Sequence, residues 1–108
     1  MTDPRPAVGA TGEQLAATFL ARHGLKVVAR NVEVAGGELD ILALDSGRRV
    51  AVEVRSITGP GEPLQAFGSD KAARVARLAR LAGAERVDLV AIRLTPEAAE
   101  VRWVRGAA

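Results

Sequence analysis

The sequence contains no cysteine and only one histidine among its 108 residues. The absence of cysteine excludes disulfides and thiolate metal sites. Every apolar run is short and interrupted by charge, so none approaches the roughly twenty residues that cross a bilayer. No N-terminal apolar run follows a basic stretch, as a secretory signal requires. We therefore expect a cytoplasmic protein without a membrane role.

Lysine is almost absent, since Lys26 and Lys71 are the only two among fifteen basic residues. The net charge is only +2, yet the sequence pI is about 9.9. Arginine forms bidentate contacts with phosphate, which favours a nucleic-acid surface. A genome that prefers arginine and alanine codons produces the same composition. Composition alone therefore leaves both explanations open.

Length and composition indicate one folded domain. Hydrophobic residues make up 48% of the chain and charged residues 26%, which is typical of globular proteins. Residues 1–10 contain two prolines without periodicity, and we expect them to form a flexible N-terminus. Residues 11–108 are then a single domain of common size.

Apolar periodicity predicts seven elements in the order α-β-β-β-α-β-β. Helices are expected from Thr11, as the capping residue, to His23 and from Ser69, again as the cap, to about Ala82. Valine-rich segments predict an antiparallel meander, and two more strands follow the second helix. The expected strands are 25–34, 38–44, 49–57, 85–94 and 100–105, with a loop at 58–68. This order indicates an α/β fold, more closely an α+β mixed sheet with helices packed against it.

The second and third strands carry charges where a buried sheet should be apolar. A two-residue loop at 46–47 places Asp40 opposite Glu53 and Glu38 opposite Arg55, all on one side of the sheet. Opposed carboxylates repel by roughly 3 kcal/mol, and folding alone does not favour that arrangement. A divalent cation such as magnesium offsets the repulsion. The alternative is that these charges are solvated on an uncovered face of the sheet.

The helices contribute further charged residues near this surface. Glu13 borders the apolar stripe of the first helix, where it can be a third carboxylate of the site or an ordinary first-turn acid. Lys71 projects from the first turn of the second helix and can contact a phosphate or solvent. Three arginines outside that helix's buried stripe can hold a nucleic-acid backbone or form a solvated face: Arg74, Arg77 and Arg80.

These residues fall into a pattern of short motifs between residues 11 and 94. The motifs are Gly12-Glu13, Ala29-Arg30-Asn31, Gly37-Glu38-Leu39-Asp40-Ile41, Val52-Glu53-Val54-Arg55, Lys71 and Arg86-Val87-Asp88. The pattern resembles the YraN family of small bacterial proteins. That family is similar to archaeal Holliday-junction resolvases and to the restriction-endonuclease-like PD-(D/E)xK nucleases, which implies a restriction-endonuclease-like fold.

The resemblance implies a role for each matching residue. Asp40, Glu53 and Glu13 are expected to bind Mg²⁺ or Mn²⁺, and together with Arg55 they form the expected catalytic set. Glu38 and Lys71 are expected to support them. Arg55 stands where those nucleases usually carry a lysine. Arginine stays charged and can only orient groups or stabilise charge, so the sequence leaves open whether the protein cleaves. Lys71 can substitute for that lysine from the neighbouring helix.

The leading hypothesis is a metal-dependent endonuclease that hydrolyses phosphodiester bonds of DNA, with branched DNA as a possible substrate. A symmetric four-way junction requires two active sites, so the resemblance implies a homodimer. A first alternative is a nuclease-fold module that binds nucleic acid without cutting it. A second alternative is a protein-interaction subunit whose acids are merely exposed.

Overall fold

The computed structural model of this protein describes residues 8–57, 59, 60, 65 and 67–108. These contain two helices and five strands: α1 (Val8–Arg22), β1 (Lys26–Val34), β2 (Gly37–Asp45), β3 (Arg48–Ile57), α2 (Ser69–Leu81), β4 (Arg86–Leu94) and β5 (Ala99–Val104). The order is the predicted one. Most of the predicted flexible N-terminus and part of the predicted loop 58–68 lie outside the described residues. Within the described part, neither helix is long and apolar enough to cross a membrane.

The C-terminal ends of both helices lie at the predicted glycines, whereas their N-terminal ends differ from the predicted caps. Helix α1 begins at Val8, three residues before Thr11, and is followed by Gly24 with φ of +93°. The N-cap of α2 is Gly68 in an extended conformation, so the prediction that Ser69 caps this helix is wrong. Gly83 follows the helix with φ of +78°. Left-handed glycines end both helices because they adopt this conformation without steric cost.

The five strands form one sheet in the order β1-β2-β3-β4-β5. The first three are an antiparallel meander, β3 and β4 are parallel, and β5 returns antiparallel to β4. Ser46 and Gly47 have φ of +52° and +83°, as a type I′ turn requires. The turn sets a register in which Ile41 pairs with Val52, and this confirms the predicted hairpin alignment.

The sheet buries a separate hydrophobic core on each face. On one face, α1 packs Ala16 and Leu20 against the sheet, in a cluster that also holds Ile41, Ala43, Val50, Val52, Val90 and Ile92. On the other face, α2 packs Val75 and Leu78 in a cluster with Leu39, Ala51, Val87 and Leu89. A sheet covered by helices on both faces makes its central strands continuously apolar. The buried run of β4 reflects this position.

One charged residue of β4, Asp88, is completely buried. Arg86 donates hydrogen bonds from Nε and Nη2 to its two carboxylate oxygens, at 2.8 and 2.9 Å. The Trp103 indole and the Gly106 amide donate two more, at 2.9 and 3.0 Å. A buried carboxylate is tolerated when it is paired and hydrogen-bonded in this way. Asp88 and Arg86 therefore join β4 to the C-terminal segment and stabilise the fold.

Candidate metal centre

Strands β2 and β3 separate at Asp40. Their ladder ends at the pair of Ile41 and Val52, and the next free amide, Val54 N, donates a 2.8 Å hydrogen bond to Asp40 Oδ2. Leu39 packs in the α2 core and Ile41 in the α1 core, although alternate residues of a regular strand share a face. Asp40 thus lies at an irregular point of β2, and its carboxylate fills the gap between the strands.

This separation corrects the expected cross-strand pairs. The backbone ladder does not extend to Asp40 and Glu53 or to Glu38 and Arg55, because the two strands diverge before these residues. Asp40 meets Glu53 through a side-chain hydrogen bond instead. Glu38 pairs with Glu33 on β1. The carboxylates of Glu13, Glu38 and Asp40 nevertheless lie close together where the strands diverge.

Glu53 is the most buried carboxylate of this group, with 6% of the residue exposed. Burial, the hydrogen bond with Asp40 and the negative charge of Asp40 raise the pKa of Glu53 to about 8. Arg55 and Arg74 lower this pKa, but their effect is smaller. Burial beside Asp40 therefore favours the protonated form of Glu53 in the metal-free protein.

Two cations reach the same oxygen of Glu53 from different elements. Arg55 Nη2 on β3 lies 3.5 Å from Glu53 Oε2, and Lys71 Nζ on α2 lies 3.6 Å from it. Within the described part of the chain, Arg55 Nε is buried without a hydrogen-bond partner. A lysine and an arginine thus compete for one carboxylate oxygen, and the guanidinium is not held by a bidentate contact.

Helix α1 brings Glu13 to this site because the preceding residue is glycine. A Cβ at Gly12 would lie 3.2 Å from Ser56 Oγ on β3, a contact tighter than most Cβ atoms make, so glycine accommodates the close approach of α1 to β3. Glu13 is partly buried, and its Oε2 lies 3.8 Å from Arg30 Nη2. Burial and the negative charges of Asp40 and Glu38 raise the pKa of Glu13, while Arg30 lowers it.

Three carboxylates form a compact cluster: oxygens of Glu13, Glu38 and Asp40 all lie within 4.8 Å of one another. Asn31 on β1 holds two of them. With its amide nitrogen facing the acids, this nitrogen lies 3.3 Å from Glu13 Oε2 and 3.3 Å from Glu38 Oε1. Asn31 has φ of +53°, a conformation that asparagine tolerates better than most residues. The strained backbone of β1 thus presents a donor to both acids.

The spacing of these carboxylates fits a divalent cation. Oxygen ligands bind Mg²⁺ and Ca²⁺ at about 2.0 to 2.6 Å, so oxygens on opposite sides of the ion lie about 4 to 5 Å apart. Asp40 belongs to the cluster with Glu13 and Glu38 and also bonds Glu53. Oxygen ligands of this kind suit hard cations. The donor set therefore fits the divalent ion that the sequence predicts, with Asp40 at its centre.

Most of the predicted site residues line one cleft of about 380 Å³. The lining residues are Glu13, Asp40, Glu53, Val54, Arg55, Ser56 and Lys71. Glu38 lies outside this lining but within the acidic cluster. Arg74 is close enough to influence Glu53, whereas Arg77 and Arg80 lie one and two turns further along α2. The structure thus brings Arg74 to the cleft and leaves Arg80 at the far end of the helix.

Three residues of the site had no role in the sequence-based prediction. Asn31 and Arg30 contact Glu13, and Ser56 lines the cleft. The Ala29-Arg30-Asn31 motif pointed to Arg30 and Asn31 in the sequence. Their contacts with Glu13 depend on the positive φ of Asn31 and on the approach of α1 to β1. Neither feature is visible in the sequence.

Comparison with known proteins supports the fold and the family. Archaeoglobus fulgidus Hjc, a Holliday junction resolvase from an archaeal hyperthermophile, superposes with a TM-score of 0.58 and 21% identity, over 89% of this chain and 75% of that one. The likeness shows that the mixed sheet and its helices have the restriction-endonuclease-like fold.

Sequence comparison is more specific. A UPF0102 protein of Syntrophotalea carbinolica is 36% identical over 99% of this chain and 95% of that protein. UPF0102 protein STH1475 of Symbiobacterium thermophilum is 46% identical over 68% of this chain and 64% of that protein. The family model described as "Uncharacterised protein family UPF0102" matches residues 12–92. The chain therefore belongs to UPF0102, the family that its motifs identify as YraN.

Proposed function

We propose that this protein is a metal-dependent DNA endonuclease that hydrolyses phosphodiester bonds in the cleft between α1, β2 and β3. The observation that carries the proposal is the convergence of Glu13, Asp40 and Glu53 with Arg55 and Lys71 on one cleft. Carboxylates that bind a hard cation, placed beside cations that bind phosphate, are the groups that this hydrolysis requires.

The acids have distinct parts in this proposal. Asp40 is the central ligand, because it lies within reach of the other carboxylates and is oriented by the Val54 amide. Glu53 and Glu13 are the further ligands, and Glu38 supports them from the edge of the cluster. A divalent cation bound there, Mg²⁺ or Mn²⁺, supplies positive charge for the phosphate and acidifies a water.

The cations act on the phosphate. Arg55 stabilises the negative charge that develops on the phosphoryl oxygens, since a guanidinium can donate several hydrogen bonds to phosphate. Lys71 reaches the same carboxylate from α2, and from there it substitutes for the lysine that those nucleases usually carry where this chain has Arg55. Its flexible ammonium can follow the leaving group.

The substrate class follows from the surface around the cleft. Arg74, exposed beside the cleft, and Arg77 further along α2 offer contacts to a DNA backbone that carry no sequence information. Branched DNA is the first substrate to test. Cutting a symmetric junction requires two copies of this cleft, so we propose that the protein acts as a homodimer on such a substrate.

Incubation of the purified protein with a labelled four-way DNA junction and Mg²⁺ or Mn²⁺ tests the proposal. Cleavage is expected with either metal and is lost with EDTA. Asp40→Asn and Glu53→Gln should abolish it, while Glu97→Gln, a change to an exposed acid in the β4–β5 connection, should not. Activity that survives both cleft substitutions would come from a contaminating nuclease.

A second candidate is a module that binds nucleic acid without cutting it. The observation that favours it is the contact of Arg55 with Glu53. Arg55 stands where related nucleases usually carry a lysine, and an arginine cannot exchange a proton in catalysis. This candidate predicts salt-dependent DNA binding without cleavage under any metal. Gain of cleavage by Arg55→Lys would show that the scaffold is otherwise competent.

A further inference from the structure

A second, smaller depression of about 140 Å³ lies on the sheet beside the acidic cleft. Its lining residues are Ile57, Ala91, Arg93, Glu100, Val101 and Arg102. Apolar side chains contribute to its floor, and charged side chains from β4 and β5 form its rim. None of these residues has a part in the chemistry proposed for the cleft.

The strand register places this depression on the same face of the sheet as Glu53. Residues Glu53, Arg55 and Ile57 share a face of β3 because alternate residues of a strand point the same way. Ala91 on β4 pairs with Arg55 on one side and with Arg102 on the other. Arg55, Ala91 and Arg102 therefore form a row across three strands that begins in the cleft and ends at β5.

The length of this row suits a nucleic-acid strand. Two strand spacings of roughly 4.8 Å separate Arg55 from Arg102, about 10 Å in all. One DNA strand advances about 3.4 Å along the helix axis per phosphate, so the row is long enough to contact more than one nucleotide. In the neighbouring row, Arg93 pairs with Ile57, and its Nη1 donates a 2.7 Å hydrogen bond to the Gly59 carbonyl. That bond holds the guanidinium at the rim.

We propose that this depression, the β5 subsite, binds the DNA backbone next to the phosphodiester in the cleft. Arg102 and Arg93 contact the phosphates, and a sugar packs on the half-buried Ile57. The described lining contains no aromatic side chain, so the contact is to the backbone and independent of sequence. The inference rests on the proposed function. It adds the direction of the bound DNA strand, which runs from the cleft across β4 to β5.

Glu100 gives the subsite a second testable feature. It pairs with Arg93 across β4 and β5, and its carboxylate lines the depression. A carboxylate there repels an approaching phosphate and limits affinity. Removing its charge should strengthen DNA binding, an outcome that loss of structure cannot produce.

Binding of a short fluorescein-labelled DNA duplex, followed by anisotropy with Ca²⁺ in place of Mg²⁺, tests the β5 subsite. Arg102→Ala should weaken binding and reduce the slope of log K against log salt by about 0.9 between about 50 and 200 mM salt. Arg102→Lys should restore the slope, and Glu100→Gln should raise affinity. The matched control is Arg22→Ala, which removes an equal charge from the exposed end of α1 and should keep the wild-type slope.

The outcomes separate the subsite from the proposed function. If wild type and Arg102→Ala bind with the same slope, the β5 subsite is wrong and the cleft proposal stands. If the wild type binds no DNA at any salt concentration, both are wrong. A slope that also falls for Arg22→Ala would show a general charge effect and would overturn the subsite.

Discussion

The Val54 amide donates a 2.8 Å hydrogen bond to Asp40 Oδ2 at the point where β2 and β3 stop pairing. One side chain thus satisfies the backbone where the ladder ends and also supplies the central carboxylate of the acidic cluster. The second role requires the charge of Asp40, whereas the first requires only an acceptor oxygen. Substitutions can therefore separate structure from metal binding at this residue.

Asp40→Asn should lose metal affinity and keep its stability. The asparagine oxygen can still accept from Val54, but the charge is gone, so Mn²⁺ affinity measured by calorimetry should fall about tenfold or more, which corresponds to ~1.4 kcal/mol. Asp40→Ala leaves the Val54 amide without its partner and should lower the free energy of unfolding by about 1 to 3 kcal/mol in urea titrations. Unchanged Mn²⁺ binding by Asp40→Asn would exclude Asp40 as a ligand.

Lys71→Met should reduce cleavage without preventing DNA binding. Because the Lys71 ammonium lies beside Glu53 in the cleft, its loss removes a cation from the developing charge and should slow single-turnover cleavage by about 10²-fold. Lys26→Met is the matched control, since Lys26 is the only other lysine and is exposed at the start of β1. Equal rates for the two variants would leave Lys71 without a part in the reaction.

The stability of the metal-free protein should fall as pH rises. The pKa of Glu53 is raised to about 8 in the folded protein from its ordinary value of 4.5, so the folded protein binds one proton more than the unfolded chain between these pH values. By linkage, the stability contributed by this group is greatest below about pH 4.5 and is lost toward pH 8, by up to about 5 kcal/mol. Urea titrations in EDTA across this range measure the loss.

Glu53→Gln should abolish most of that pH dependence, because glutamine stays neutral. Glu97→Gln should leave the dependence as in the wild type. Added Mn²⁺ should restore stability at high pH in the wild type and in Glu97→Gln but not in Glu53→Gln, since the ion offsets the repulsion between Asp40 and Glu53. A wild-type stability that rises between pH 5 and 8 would contradict the raised pKa of Glu53.

Asn31→Gly should weaken metal binding more than it weakens the fold. Glycine keeps the left-handed backbone, but it removes the amide that lies 3.3 Å from both Glu13 and Glu38. Residues that orient metal ligands typically change affinity by 10- to 100-fold, so we expect about a tenfold loss of Mn²⁺ affinity by calorimetry. Asn31→Ala should additionally lose roughly 1 to 3 kcal/mol of stability, because alanine is strained at positive φ. Wild-type Mn²⁺ affinity in Asn31→Gly would show that Asn31 serves only the left-handed backbone conformation of β1.

The sequence by itself determined the order of the elements and the alignment of the β2–β3 hairpin. Apolar periodicity, the glycines at 24 and 83 and the Ser46-Gly47 turn are local signals, and local sterics decide each of them. The alignment placed the acids near the same end of the hairpin, but it did not give the contacts between them, because the ladder ends at Ile41 and Val52. The sequence did not determine where the helices begin. Helix α1 begins at Val8 rather than near Thr11, and the cap of α2 is Gly68 rather than Ser69.

Only the tertiary structure decided how the acids meet. The separation of the strands at Asp40, the approach of Glu13 past Gly12 and the left-handed Asn31 arise from packing between elements distant in the chain. Burial of Glu53 depends on the same packing, and it is the largest cause of the raised pKa of this residue. Local sequence specifies which groups lie on a strand, whereas the desolvation and distances that set their chemistry exist only after the sheet and both helices have assembled.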